Sequence, residues 1–398
     1  MKHVYKHLCA FLILALCLPF FAFAEDTATV YPPSQATEPY WYETDITFGD
    51  TLAVRAALLM EPTTGAVLYS QNENAHYPIA SVTKIMSTLL VAEAIDSGRI
   101  KMDDVVTVGE AAAKMGGSQV YLEPGEQMTV RDLLKAMIVV SANDATVAFA
   151  EHLAGSETSF VAMMNERASQ LGMKDTCFKN CHGLNEEGHY SSALDVAIMT
   201  RELLKHPFIL EFTQIWMDTI RNGSFGLANT NKLIRYYKGA TGMKTGFTDL
   251  AKYCVSATAE RDGTQLIAVI IGAETSDARF ASAKKLLDFG FANFAVITPQ
   301  KEELGAFAVS GGVKESIAVE YDPPSVLAEK AKRSELTSVV TVPRISAPVE
   351  KGDVVGSVDY FIDGAHAAHT DIRAAESDRE VTFWDTFFRV ISSALSFY

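Results

Sequence analysis

The sequence predicts an α+β chain of two folded domains closed by an amphipathic helix. Three observations carry that expectation. Apolar runs of strand length bracket a middle whose apolar residues recur at helical spacing. From about Thr298 the pattern changes to short β runs separated by Gly-Gly, Pro-Pro and Lys-Gly-Asp turns. The closing stretch 380–398 sets Phe383, Trp384, Phe387, Phe388, Ile391 and Leu395 on one helical face, with Asp385, Thr386, Arg389, Ser392, Ser393 and Ser396 on the other. The 398 residues are 48% hydrophobic and 21% charged, which supplies apolar surface for more than one core. A formal net charge of −15 argues against nucleic acid as a partner.

Residues 1–24 read as a secretory signal peptide. Lys2 and Lys6 lead, an apolar run covers 8–21, and Ala22-Phe23-Ala24 forms a small-x-small cleavage site. The apolar run is short for a membrane span, which disfavours the alternative of a retained anchor. The mature chain would begin at Glu25, outside the cytoplasm, and would be more acidic still, because the removed piece holds lysines and no acid. Residues 25–45, rich in Pro, Thr, Ser and acid, read as an exposed linker. Cleavage would leave Cys177, Cys181 and Cys254, too few for a disulfide framework. Cys177 and Cys181 read as buried small hydrophobes or as one optional bridge. No metal site is expected, since no matching ligand pair follows Cys177-x-x-x-Cys181-His182.

The first domain is expected over 46–297. Apolar runs at 53–60 and 66–69, separated by Glu61-Pro62-Thr63-Thr64-Gly65, predict a hairpin. Ser81 then precedes Ile85, Met86, Leu89, Leu90 and Ile95, whose spacing predicts a buried helix with Ser81 near its exposed N-terminus. A turn at Gly116-Gly117 leads to a helix over 130 to about 140. That helix stops at Ser141-Ala142-Asn143-Asp144, and another covers 145–153, so Ser141 and Asn143 fall on the connection. Helices over 160–171 and 192–205 flank the turn-rich loop from His182 to Gly188. The runs 253–257 and 265–272 predict strands, the second buried on both faces, and a helix over about 278–294 closes the domain. Short β runs at 306–309, 316–319 and 338–342 predict a small antiparallel sandwich over 298–376. The amphipathic helix, over 377–398, would lie flat on a membrane surface, because a spanning orientation would bury Asp385 and Arg389.

Ser81 and Lys84 stand one helical turn apart on the same face. A serine hydroxyl becomes a nucleophile when a neighbouring base takes its proton, and a lysine can be that base when burial or a nearby cation keeps it neutral. A Ser-x-x-Lys pair alone is weak evidence, and Ser282-Ala283-Lys284-Lys285 reads as a plain solvated helix face. Specificity comes from three motifs in order: Ser81-x-x-Lys84, Ser141-x-Asn143 and Lys244-Thr245-Gly246.

With these motifs the chain resembles the low-molecular-mass penicillin-binding proteins, in particular the D-alanyl-D-alanine carboxypeptidases, over roughly residues 50–375. The likeness extends to Tyr77-Pro78-Ile79-Ala80-Ser81, Asn143-Asp144-Ala145, His182-Gly183-Leu184, Tyr190-Ser191-Ser192 and Lys284-Lys285-Leu286-Leu287. It implies a transpeptidase-type domain of the β-lactamase-like kind, an antiparallel sheet with a helical cluster, followed by the β-sandwich. It also implies roles. Ser81 would attack the carbonyl between two D-alanines, with Lys84 taking its proton. Lys244 would lower the pKa of Lys84 and attract the substrate carboxylate, Ser141 would relay a proton to the leaving D-alanine, and Asn143 would hold the substrate amide and Lys84. Thr245 and Gly246 would lie on an edge strand against which the substrate backbone pairs. The N–H groups of Ser81 and Phe247 would form the oxyanion hole, a term of about 3 to 4 kcal/mol per donor. Arg279 is expected near the terminal carboxylate, or else on the helix surface. His182 is expected to be structural or catalytic.

The expected partners are peptidoglycan stem peptides ending in D-Ala-D-Ala, β-lactam antibiotics and a membrane surface, with no cofactor. The expected location is the outer face of the bacterial cytoplasmic membrane. Two enzymatic alternatives stand beside the carboxypeptidase: a D,D-endopeptidase, and a serine β-lactamase of the same fold. The β-lactamases carry a Glu-x-x-x-Asn loop to hold the hydrolytic water, whereas the corresponding loop here ends Cys181-His182-Gly183-Leu184-Asn185 with no such glutamate.

Overall fold

The computed structural model describes residues 38–395; the expected signal peptide and the first part of the expected linker lie outside them. The strands of the first domain are β1 (Tyr40–Trp41), β2 (Ala56–Glu61), β3 (Ala66–Gln71), β4 (Val105–Thr107), β5 (Gln127–Thr129), β6 (Met217–Ile220), β7 (Phe225–Ala228), β8 (Ala240–Thr248), β9 (Lys252–Arg261) and β10 (Thr264–Ala273). Six of them form one sheet in the order β1-β3-β2-β10-β9-β8, antiparallel except for the β1–β3 pair. The pair β4–β5, joined by a long connection, and the hairpin β6–β7 are small two-stranded sheets that no strong alternation in the sequence announces.

The central strands are buried on both faces, and their period of two divides their side chains between two cores. Ala56, Leu58 and Met60 of β2, with Ile267, Val269 and Ile271 of β10, face a cluster of helices. Ala57 and Leu59, with Leu266, Ala268 and Ile270, face the helix α6 (Ser276–Asn293) on the other side, where Phe280, Ala283, Leu286, Leu287 and Phe291 recur at helical spacing. Within α6 the second Ser-x-x-Lys separates: Ser282 is buried and Lys285 reaches Asp50 across solvent. Only the lysine end is therefore a solvated face.

The helical cluster comprises α1 (Lys84–Asp96), α2 (Val130–Val139), α3 (Asn143–Ala154), α4 (Glu157–Gln170) and α5 (Ala193–Leu203). Helix α1 is buried along nearly its whole length, as its run of Ile, Met, Leu and Val requires. Local caps fix the starts of its neighbours. Thr129 accepts from Asp132 N at α2, Ser156 from Ser159 N at α4 and Ser192 from Asp195 N at α5. Gly155 ends α3 with φ +75, a left-handed stop.

The second domain contains β11 (Phe294–Ile297), β12 (Ala306–Ser310), β13 (Ser316–Glu320), β14 (Val326–Glu329), β15 (Leu336–Thr341), β16 (Ile345–Ser346), β17 (Val354–Ile362) and β18 (Ala365–Ala374). β11 pairs with β14, and the rest form a sheet in the order β15-β17-β18-β13-β12-β16 around Ile317, Val358, Tyr360 and Ile372. Residues 377–382 pack on this domain. Asp378 is buried, bridges to Val349 and accepts from Lys314 N, and Glu380 bridges to Gly312. Helix α7 (Phe383–Leu395) begins after them. No helix of the described residues is long and apolar enough to cross a membrane.

The segment expected as a free linker is docked from Tyr40 onward. Tyr40 and Trp41 pair with Ala66 and Val67, and the Tyr42 ring meets Phe294 edge-on at 5.7 Å. Thr44 Oγ1 donates to Glu329 Oε1 at 2.6 Å, which ties this segment to the second domain. Its aromatic residues, set among Pro and acid, supply the contacts that a truly exposed linker lacks.

Candidate active site

Ser81 lies in a 3-10 turn, Ala80–Thr83, that runs directly into α1. Ala80 holds φ +48, an unusual value for a residue with a Cβ, immediately before the hydroxyl. Lys84 opens α1 and is fully buried, with Nζ 3.1 Å from Ser81 Oγ. The same nitrogen donates to Asn143 Oδ1 at 2.6 Å and to the carbonyl oxygen of His182 at 2.7 Å. Burial lowers the Lys84 pKa to about 7 against smaller opposing effects of Cys181 and Asp144, so much of it is neutral at neutral pH.

Ser141 and Asn143 sit where α2 gives way to α3. Ser141 takes φ +64, which turns the chain sharply, and Asn143 is the first residue of α3. Asn143 is anchored at three points: Nδ2 donates to Gly116 O at 2.7 Å, the backbone N–H donates to Ser118 O at 2.7 Å, and Oδ1 accepts from Lys84. Asp144, fully buried, accepts from Val120 N and Leu122 N, so it fixes the 116–122 loop over the site. The Gly116-Gly117 turn read from the sequence thus supplies a ligand to Asn143.

Strand β8 brings the third motif to the edge of the main sheet, leaving one side of the strand free. Lys244 Nζ donates to Ser141 Oγ at 2.8 Å and to Thr245 O at 2.9 Å. Its pKa lies well below the usual lysine range through burial, with the charges of Lys84 and Arg279 adding to the effect. Burial is the leading cause of the lowered pKa at both amines. Thr245 Oγ1 shares a hydrogen bond of 2.6 Å with Thr230 Oγ1. A Cβ on Gly246 would stand 2.7 Å from Ile79 O and 3.0 Å from Ser81 N, so only glycine lets the strand lie against the nucleophile turn. Phe247 is half exposed at the rim and packs on Tyr253, ring centroids 4.3 Å apart.

Arg279 is not a surface residue. It is buried behind β8, donating to Gly246 O and Cys254 O at 3.2 Å each, with the Phe280 ring 4.3 Å from its guanidinium carbon; Nε has no partner. His182 is buried too, and burial followed by the Lys84 charge brings its pKa down to about 3, so the ring is neutral. His189, missed from the sequence, is held neutral by burial with a pKa of about 4 and lies 2.8 Å from Thr83 Oγ1, inside the Ser-x-x-Lys turn. Cys177, Cys181 and Cys254 are free thiols. Among the described residues no group of His, Cys, Asp and Glu is arranged to hold a metal ion.

Ser81, Lys84, Ser141, Asn143, Lys244, Thr245 and Gly246 therefore converge from three separate elements. The arrangement sets a hydroxyl beside a neutral amine and a second hydroxyl beside a second amine, next to an open strand edge. That suits acyl transfer from an extended peptide.

The family described as D-alanyl-D-alanine carboxypeptidase matches residues 44–275, and that described as penicillin-binding protein 5, C-terminal domain, matches residues 297–380. The chain is 43% identical to the D-alanyl-D-alanine carboxypeptidase DacF of Bacillus subtilis over 83% of its own length and 87% of the relative's. Among solved structures, penicillin binding protein 5 of Haemophilus influenzae matches with a TM-score of 0.75 and 32% identity, over 84% of this chain and 100% of that one. Penicillin-binding protein D2 of Listeria monocytogenes, solved in an ampicillin-bound form, matches with a TM-score of 0.56 and 35% identity, over 60% of this chain and 98% of that one.

Proposed function

Because the chain belongs to the D-alanyl-D-alanine carboxypeptidase family, we propose a division of labour among its own residues for removing the terminal D-alanine from peptidoglycan stems. The protein is a serine-type D-Ala-D-Ala carboxypeptidase of the penicillin-binding kind. Ser81 is the nucleophile and Lys84 its base. One observation carries this assignment: the buried Lys84 amine faces two fixed carbonyl acceptors, Asn143 Oδ1 and His182 O, as well as Ser81 Oγ. A neutral amine has two N–H groups and one lone pair. The two acceptors occupy both N–H groups, which leaves the lone pair for the Ser81 proton.

Ser81 Oγ attacks the carbonyl between the two D-alanines, and its proton passes to Lys84. The N–H groups of Ser81 and Phe247 stabilise the developing oxyanion, a role supported by the close approach of Gly246 to Ser81 N. Ser141 passes its hydroxyl proton to the leaving amine and is reprotonated by Lys244, which donates to it. Water then attacks the acyl carbonyl, its proton returning through Ser141 to Lys244 while Lys84 gives its proton back to Ser81 Oγ, which releases the shortened stem. Asn143 holds the substrate amide as well as Lys84, while Lys244 and Thr245 receive the terminal carboxylate, whose charge favours protonation of Lys244. Arg279 adds positive charge from behind the strand, since its hydrogen bonds go to the Gly246 and Cys254 carbonyls.

The direct assay is release of D-alanine from an acyl-D-Ala-D-Ala peptide. The wild-type protein should release it and Ser81→Ala should not; equal release by both would sink the nucleophile assignment. Penicillin is expected to compete in the same assay.

Export and a peripheral tether belong to the same proposal. Asp385, paired with Arg379, accepts from Thr382 N–H and so caps α7, while Arg389 donates to Val313 O. The remaining face exposes Phe383, Trp384, Phe387, Phe388 and Leu395. Such a helix lies flat with its rings in the interface and its polar groups in water, at the outer face of the bacterial cytoplasmic membrane. Truncation after Val381 keeps Asp378 and Glu380 on the second domain. The truncated protein should leave liposomes while still releasing D-alanine; continued sedimentation with liposomes contradicts the tether.

A further inference from the structure

The His182 carbonyl that receives Lys84 belongs to a loop, and a loop carbonyl is only as well placed as its supports. Ser87 Oγ donates to Cys181 O at 2.6 Å and Gly183 N–H donates to Asn180 Oδ1 at 2.7 Å, which holds the peptide from two sides. The third support is Glu157, in the first turn of α4. Its Oε1 accepts from Cys181 N–H at 3.1 Å and from Cys181 Sγ–H at 3.2 Å, and it stands 3.4 Å from His182 Nε2.

The protons on these donors follow from their surroundings. His182 is neutral, and its Nδ1 accepts from Leu184 N–H at 3.2 Å, so the ring proton resides on Nε2, the ring nitrogen 3.4 Å from Glu157 Oε1. Burial and the Glu157 charge push the Cys181 thiol well up, so it remains an S–H donor. One carboxylate oxygen thus accepts two hydrogen bonds from Cys181 and stands beside the ring of His182, the next residue, which carries the carbonyl on Lys84.

We propose that Glu157 is a positioning residue for Lys84: it fixes the Cys181–His182 stretch so that the His182 carbonyl occupies one N–H of the amine and leaves the lone pair directed at Ser81. His182 then serves through its carbonyl and its fixed ring, without exchanging a proton with substrate. The inference rests on the assignment of Ser81 and Lys84 as nucleophile and base. Glu157 touches neither residue, and no Ser, Lys or Thr-Gly motif includes it.

The test is the rate of penicillin acylation in the full chain, resolved into the limiting rate and the half-saturating concentration, for wild type, Glu157→Ala, Glu157→Gln and Ser156→Ala. Ser156 caps the same turn of α4 through Ser159 N but does not touch the loop, so its variant reports purely structural loosening. A displaced base costs about tenfold to a hundredfold in rate. Glu157→Ala is expected to lower the limiting rate by that much with little change in half-saturation. Glu157→Gln keeps an acceptor oxygen and should recover most of the rate, and Ser156→Ala should stay within about twofold of wild type. Thermal unfolding of each variant establishes that it is folded at the assay temperature. The inference is overturned if folded Glu157→Ala acylates as fast as wild type, if Ser156→Ala is slowed equally, or if Glu157→Gln is as slow as Glu157→Ala. A wild-type protein that penicillin does not acylate would instead overturn the underlying assignment of Ser81 and Lys84.

Discussion

Lys84 can act as a base only in the environment the fold gives it. In water its amine would be protonated at neutral pH; fully buried, its pKa falls to about 7. The sign of the pH dependence follows. The working form is the neutral amine, so activity is full above pH 7 and is lost as pH falls through that value, by about tenfold for each unit further down. A pH profile of kcat/KM for D-alanine release measures this directly. A flat profile between pH 5 and about 8 would contradict the role of Lys84. Ser81, Lys84, Ser141, Asn143 and Lys244 were legible because each sits in a short motif of fixed spacing. Glu157, His189 and Thr230 were not. They touch the site through contacts with residues 24, 106 and 15 positions away, and no local pattern encodes such pairings. The His182 carbonyl is a backbone group, invisible to any reading of side chains.

At the level of elements, the site depends on segments packed too closely to admit a methyl group. The nucleophile turn touches both β8 and the 182–188 loop. A Cβ on Gly183 would stand 2.0 Å from Ala80 O, and Gly183 also holds φ +89, which a side chain disfavours. Gly183→Ala should therefore move the loop away from Ala80 and drag the His182 carbonyl off Lys84. The expected cost is about a hundredfold in acylation rate, together with more than about 1 kcal/mol in stability. Stopped-flow acylation and thermal unfolding measure the two separately; a Gly183→Ala protein that acylates at the wild-type rate would show that the contact does not matter. The long helices and the doubly buried β10 were readable from periodicity, because burial on one stripe or on both faces leaves a plain apolar pattern. β17 and β18 were harder. They alternate apolar residues with Asp359, His366, His369 and Asp371, which pair with one another on the exposed face of the sheet and dilute the strand signal.

For the whole molecule, the two domains share the work unequally. The first holds every residue assigned to chemistry, on a sheet buried between two cores. The second joins it through β11 and β14, through Thr44 on Glu329 and through Lys330 on the Phe291 carbonyl, and it carries α7 at its end. The change of pattern near Thr298 was the signal for a second, β-rich domain. The docking of Tyr40, Trp41 and Tyr42 was hidden, because a strand two residues long gives no periodicity. The central claim is that Ser81 forms the acyl-enzyme. The measurement that reaches it most directly is mass spectrometry of the protein after exposure to penicillin, first intact and then as peptides. The expected result is one added penicillin mass, mapped to the peptide at Ser81 and missing from Ser81→Ala. An unmodified wild-type protein, or an adduct on any other residue, would contradict it.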